Sequence, residues 1–196
     1  MSAASHTIAQ QSLAPRLFSN AMIEAASSRL ELSKLEGDAA LFYVDADKYS
    51  PEEVGDTVLD IFRAFFNQQR QLIASNICPC SACSHISMLD LKIFVHRGDA
   101  TRFEFRGSID HFGTDVIVIH RMMKNGAASK RYVMVTDKAA SSIVLPEELE
   151  QWELNESHDH IGQIGARVFE LGDILADEVA TQDQIAATSS RARETM

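Results

Sequence analysis

Cysteine is scarce in this chain and crowded where it occurs, with three among 196 residues, all between Cys78 and Cys83. So confined a set makes no even disulfide framework, and a reducing cytoplasm is the expected compartment. Long apolar runs are also missing. Nothing approaches the roughly 20 residues that a membrane-spanning helix needs, and the segment from Met1 to His6 lacks the charged and apolar regions of a signal peptide. Basic residues are outnumbered, 18 against 28 acidic ones, for a formal charge of −10. Nucleic acid and anionic membrane are themselves polyanions, so neither is expected as a partner. There is no internal repeat.

What is present is an ordinary globular composition, 45% apolar and 23% charged, long enough for one domain with a proper core. Residues 1–172 are expected to form that domain. Residues 173–196 are rich in Ala, Thr, Ser, Gln and charge, and are expected to be a mobile or partly helical tail.

Apolar spacing predicts a helix over residues 5–26, with a kink or a late start near Pro15. Two strands follow, Arg29 to Leu35 and Ala39 to Val44, around a tight turn at Glu36-Gly37-Asp38. Ser50-Pro51-Glu52-Glu53 opens a second helix: Ser50 caps, Pro51 sits where a missing N–H costs nothing, and Glu53 completes a capping box. Its apolar face is Val54, Val58, Ile61, Phe62, Phe65, Phe66 and Ile73, and it ends near Asn76. Leu89 to His96 and Thr101 to Phe105 read as a strand pair turned at Arg97-Gly98-Asp99. A third helix is expected from Gly113 to Lys124, then a strand from Tyr132 to Thr136 and a weaker one from Gly162 to Leu171. This succession predicts an α+β domain.

Ile77-Cys78-Pro79-Cys80-Ser81-Ala82-Cys83-Ser84-His85 is the least usual stretch. Cys78, Cys80, Cys83 and His85 can converge on one zinc ion as a tetrahedral Cys3His site with a structural role. Reduced cysteines packed as small apolar residues, or a redox-sensitive Cys80–Cys83 pair, are the alternatives. His158 and His160 read as part of a solvated loop, and His96, His111 and His120 as ordinary polar or packed histidines.

Lys34-Leu35-Glu36-Gly37-Asp38 resembles the Lys-x-x-Gly-Asp hairpin of the class III nucleotidyl cyclases. The run from Asp110 to Met122, Asp-His-Phe-Gly-Thr-Asp-Val-Ile-Val-Ile-His-Arg-Met, is similar to the Asp-x-aromatic-Gly-x-x-Val-Asn-x-x-x-Arg-Met run of the same superfamily. From about His6 to Thr136 the chain resembles more narrowly an uncharacterised bacterial branch, a domain-of-unknown-function family. Its members carry a Glu-Gly-Asp hairpin, a Cys-x-Cys-x-x-Cys run and a Gly-x-Asp-Val…His-Arg segment.

The resemblance implies a ferredoxin-like, cyclase-type antiparallel-rich sheet with helices on one face. It makes Lys34 and Asp110 the purine-reading pair, with a preference for adenine over guanine. Arg121 would stabilise phosphoryl charge, and Asp38 would be one of two aspartates holding Mg or Mn. Ile117 stands where the superfamily has a ribose-orienting asparagine. The other metal aspartate belongs to a strand before the first helix, in an Asp-Ile-x-Gly-Tyr-like segment. This chain begins almost directly with the helix and has no aspartate before Asp38, so that strand is expected to be absent.

Three readings stay open. The first is a catalytically inactive, nucleotide-binding cyclase-homology domain, acting alone or as half of a composite site in a homo- or heterodimer. The second is a metal-stapled structural or regulatory module. The third is an active adenylate cyclase-like phosphorus–oxygen lyase whose true N-terminus lies upstream.

Overall fold

The computed structural model describes residues 17–75, 85–105 and 108–172. Helix α1 covers residues 17–26, so the expected 5–26 helix is seen only in its second half. Strands β1 (Glu31–Glu36) and β2 (Ala39–Tyr43) form an antiparallel hairpin. Gly37, at φ 63°, takes the left-handed turn conformation between them, a region that costs glycine least. Helix α2 spans Pro51–Ser75. Its capping box forms as expected: the Ser50 amide donates to Glu53 Oε2 at 2.9 Å, and the Glu53 amide donates to Ser50 Oγ at 3.3 Å. Two of the N–H groups that every helix start leaves orphaned are thereby satisfied.

Next come a 3-10 turn (Ile86–Met88), β3 (Lys92–Val95), β4 (Thr101–Phe105), β5 (Ser108–Phe112) and helix α3 (Thr114–Met122). The chain continues through β6 (Tyr132–Thr136), a 3-10 turn (Asp137–Ser142), β7 (Gln151–His158) and β8 (Gly162–Glu170). The fold is α+β and rich in antiparallel pairing. The strands divide into a four-stranded sheet of order β3-β6-β8-β7 and two hairpins, β1-β2 and β4-β5. One ladder, β3 with β6, is parallel.

β6 is buried along its whole length, and its alternation divides the core. Val133 and Val135 face a cluster built on α1 and α2, with Phe18, Phe62 and Phe66 inside it. Tyr132 and Met134 face a second cluster with Val118 and Met122 of α3 and with Trp152 and Leu154 of β7. The expectation of helices on one face therefore holds for α1 and α2, while α3 covers the opposite face. Phe62 has no exposed surface, and burying such a ring contributes about 1.5–3 kcal/mol.

Two expectations need correction. β3 and β4 are not a strand pair: β4 is antiparallel to β5, with Thr101 opposite Phe112, while β3 runs beside β6. The segment between β3 and β4 does not act as a hairpin turn because α3 holds it, through Asp115, to His96 and to the amide of Asp99. Ile73 was expected on the buried face of α2, but it is 46% exposed near the helix end.

Among the described residues no helix is long and apolar enough to cross a membrane.

Candidate functional site

Lys34 lies in the hairpin strand β1 and Asp110 in β5, 76 residues apart, yet their side chains meet. The Lys34 ammonium stands 3.1 Å from Asp110 Oδ1 and 3.4 Å from Oδ2. Two neighbouring contacts bring the strands together here. Ser33 Oγ and His111 Nδ1 are 2.8 Å apart, and the Tyr43 and His111 rings are 4.1 Å apart at their centroids. His111 is buried by this packing, which fixes the strand that presents Asp110.

A third residue joins the pair. Strand side chains two apart share a face, and Glu36 Oε1 lies 2.9 Å from the same Lys34 nitrogen. The other Glu36 oxygen, Oε2, is 3.5 Å from His120 Nδ1 on α3. Lys34 therefore bridges two carboxylates. Hydrogen bonding to Glu36, opposed by partial burial and helped by Asp110, raises the Lys34 pKa. The backbone N–H of His111 and then Lys34 lower that of Asp110, and Lys34 lowers that of Glu36. At neutral pH the group holds one permanent donor between two acceptor-only carboxylates.

Arg121 follows His120 in the last turn of α3 and is exposed. Ile117, one turn earlier, shares its helix face and is 52% exposed. Asp38 is exposed in the β1-β2 turn, just past Gly37. Among the described residues no three His, Cys, Asp or Glu side chains group closely enough to hold a metal ion. Cys78, Cys80 and Cys83 lie outside the described residues. Of the expected zinc ligands only His85 is described, exposed at the start of a 3-10 turn.

A second polar group ties α3 to the sheet. Asp115 Oδ1 lies 3.0 Å from His96 Nε2 and 2.8 Å from Lys138 Nζ, while Oδ2 accepts the Asp99 amide at 2.9 Å. His96 Nδ1 lies 2.8 Å from the buried Thr136 Oγ1. The bonds from Lys138 and His96 hold the Asp115 carboxyl well below the usual carboxylate range. This cluster orients the helix that carries Ile117, His120 and Arg121.

Residues 16–132 match a family model described as Protein of unknown function (DUF2652). The chain belongs to that family. It is also 30% identical over 122 residues to an uncharacterised protein of Mycobacterium tuberculosis (strain ATCC 25618 / H37Rv), a match covering 62% of this chain and 57% of that one. The DUF2652 chain thus spans little more than half the length of this curated relative. In shape it is similar to the catalytic core of a rhodopsin-guanylyl cyclase with converted specificity, solved in complex with ATPalphaS. That likeness has 13% identity, covers 80% of this chain and 78% of the other, and has a TM-score of 0.46, which is too low to bear on activity.

Lys34 and Asp110, picked out from sequence, are in contact in the DUF2652 fold, and Arg121 lies on the helix that reaches the same group through His120. Sequence reading missed Glu36 and His120 as members of it, and Asp115 altogether. Glu36 had a usable signal, the two-residue period that places it on the Lys34 face. His120 and Asp115 had none, because their partners lie 84 and 16 or more positions away.

Proposed function

We propose that this DUF2652 domain binds a purine nucleotide and turns it over little or not at all. The observation that supports this reading is the contact between Lys34 and Asp110, which sets an ammonium donor beside a carboxylate acceptor on two separate hairpins. A purine edge presents the complementary pair, a ring or carbonyl acceptor next to an N–H donor. The Lys-x-x-Gly-Asp and Asp-x-aromatic-Gly segments that supply the two residues are those that resemble the purine-reading segments of class III cyclases.

Arg121, a permanently charged fork on the adjoining helix, is suited to the phosphates. Ile117 cannot hydrogen-bond a ribose. Asp38 alone is a poor holder of two metal ions, so binding is expected to outlast catalysis. A composite site completed by a second chain fits the same residues, with this chain supplying the purine side.

The experiment is thermal unfolding with millimolar ATP or GTP, with and without Mn²⁺. A ligand present at about one hundred times its Kd stabilises the folded chain by about 2.7 kcal/mol. The melting temperature should rise with nucleotide in the wild type and stay flat in Lys34→Ala. No rise with either nucleotide would refute the reading.

A further inference from the structure

From the register of the β4-β5 hairpin we infer that Phe103 is the residue on which the base stacks. The inference rests on the purine-binding reading above and deepens it.

In the hairpin ladder Phe103 stands directly opposite Asp110, and Thr101 opposite Phe112. Directly opposed residues of an antiparallel pair share one face of the sheet, with Cβ atoms about 4.5–5.5 Å apart. Residues two apart on one strand share a face as well. Phe103, Asp110 and Phe112 therefore project from the same face, the one on which Asp110 meets Lys34. His111 takes the other face, where it is buried against Ser33 and Tyr43.

The two rings make one apolar surface beside the ion pair. Phe103 is 52% exposed and Phe112 53%, and neither belongs to the two clusters that form the core. Strand β4 is exposed from Thr101 through Glu104, so burial does not account for a phenylalanine at position 103. The ring centroids are 6.1 Å apart and the planes 73° from one another, an edge-to-face pairing that aromatic rings favour. Contact with Phe112 restrains the tilt of the Phe103 ring.

A purine has a polar rim and two apolar faces. Lys34 and Asp110 address the rim, where each hydrogen bond replaces one to water and contributes modestly net of that exchange. An aromatic side chain addresses a face, and stacking of a base on such a ring is a large term in nucleic-acid binding. A lone exposed phenylalanine needs no explanation. Phe103 is set one strand spacing from the carboxylate acceptor and carries a second ring at its side. That surface matches a ligand that is flat, aromatic and hydrogen-bonding at its edge, whereas a phosphate or a sugar alone would engage Lys34 and leave both rings in water.

The test is calorimetric titration of ATP into the full chain, wild type against Phe103→Leu and Phe103→Tyr. Leucine keeps apolar bulk and loses the π face; tyrosine keeps the face. The dissociation constant should rise about tenfold in Phe103→Leu, within the range for removing one stacking ring, and stay within about twofold of wild type in Phe103→Tyr. The triphosphate of 2-aminopurine riboside, which keeps an amino donor next to N1 and loses fluorescence on stacking, gives a second readout. At saturation it should be quenched by wild type and by Phe103→Tyr, and clearly less by Phe103→Leu. Weaker binding with unchanged quenching at saturation would make Phe103 a structural residue and overturn stacking. Equal ATP affinity in wild type and Phe103→Leu also overturns the role of Phe103 and leaves purine binding standing; if the wild type then self-associates and Phe103→Leu does not, the face belongs to a second copy of the chain. Absence of ATP binding by the wild type overturns purine binding itself, and the stacking role with it.

Discussion

The carboxylate of Asp115 occupies the space into which a side chain on Gly98 would have to grow. A Cβ built on Gly98 would lie 2.1 Å from Asp115 Cγ. Asp115 cannot retreat without losing His96, Lys138 and the Asp99 amide. Gly98→Ala should therefore destabilise the fold by roughly 1–3 kcal/mol, the range for forcing extra atoms into a filled site. Urea unfolding should show a lowered midpoint with little change in slope.

Asp115 also sets an acid limit. Its carboxyl titrates lower in the folded chain than in the unfolded one, because Lys138 and His96 favour the charged form. Below the unfolded value, about 3.9, the unfolded state takes up a proton that the folded state refuses. The resulting stabilisation is complete above about pH 5 and is lost as pH falls through about 4 and below. Asp115→Asn should be less stable at pH 7 and should show a shallower decline between about pH 5 and pH 2. Unfolding free energies measured across that window check both statements.

Gly55 is in the first half of α2, where alanine would ordinarily stabilise a helix by about 1 kcal/mol. Here the sign reverses. A Cβ would stand 1.8 Å from the Val144 carbonyl oxygen, on a backbone segment tied to α2 by the Val144 amide donating to Pro51 at 2.9 Å. Gly55→Ala should cost roughly 1–3 kcal/mol, read by the same urea titration.

The parts of this fold legible in the sequence were those decided by neighbours in the chain. The capping box of Ser50 and Glu53, the Gly37 turn and the apolar spacing of α3 each follow from residues a few positions apart. What eluded the sequence was decided at long range. β3 and β4 looked like a hairpin because Gly98-Asp99 reads as a turn, and only the distant Asp115 shows that the segment is pinned elsewhere. β7 passed unnoticed because Trp152 and Leu154 are its only large apolar residues, and Glu156 takes the next position of that alternation. Of the candidate site, the identities of Lys34 and Asp110 were readable by resemblance, whereas the involvement of Glu36 and His120 depends on how β1, β5 and α3 converge.

Substitutions at Lys34 and Asp110 should leave the fold nearly untouched. Both side chains keep a quarter to a third of their surface, 26% and 33%, and ion pairs at such positions contribute between about 0 and 1 kcal/mol. Lys34→Met and Asp110→Asn should each unfold within about 1 kcal/mol of the wild type in urea. Any loss of nucleotide response in these variants then reports on the site rather than on folding.

The most direct test of purine binding at this pair is calorimetric titration of ATP into the wild type and into Asp110→Asn. The wild type should give saturable one-site binding, weakened at least about tenfold in the variant, as expected for loss of a charged hydrogen-bond acceptor. Absence of binding by the wild type, or equal affinity in the two proteins, would contradict it.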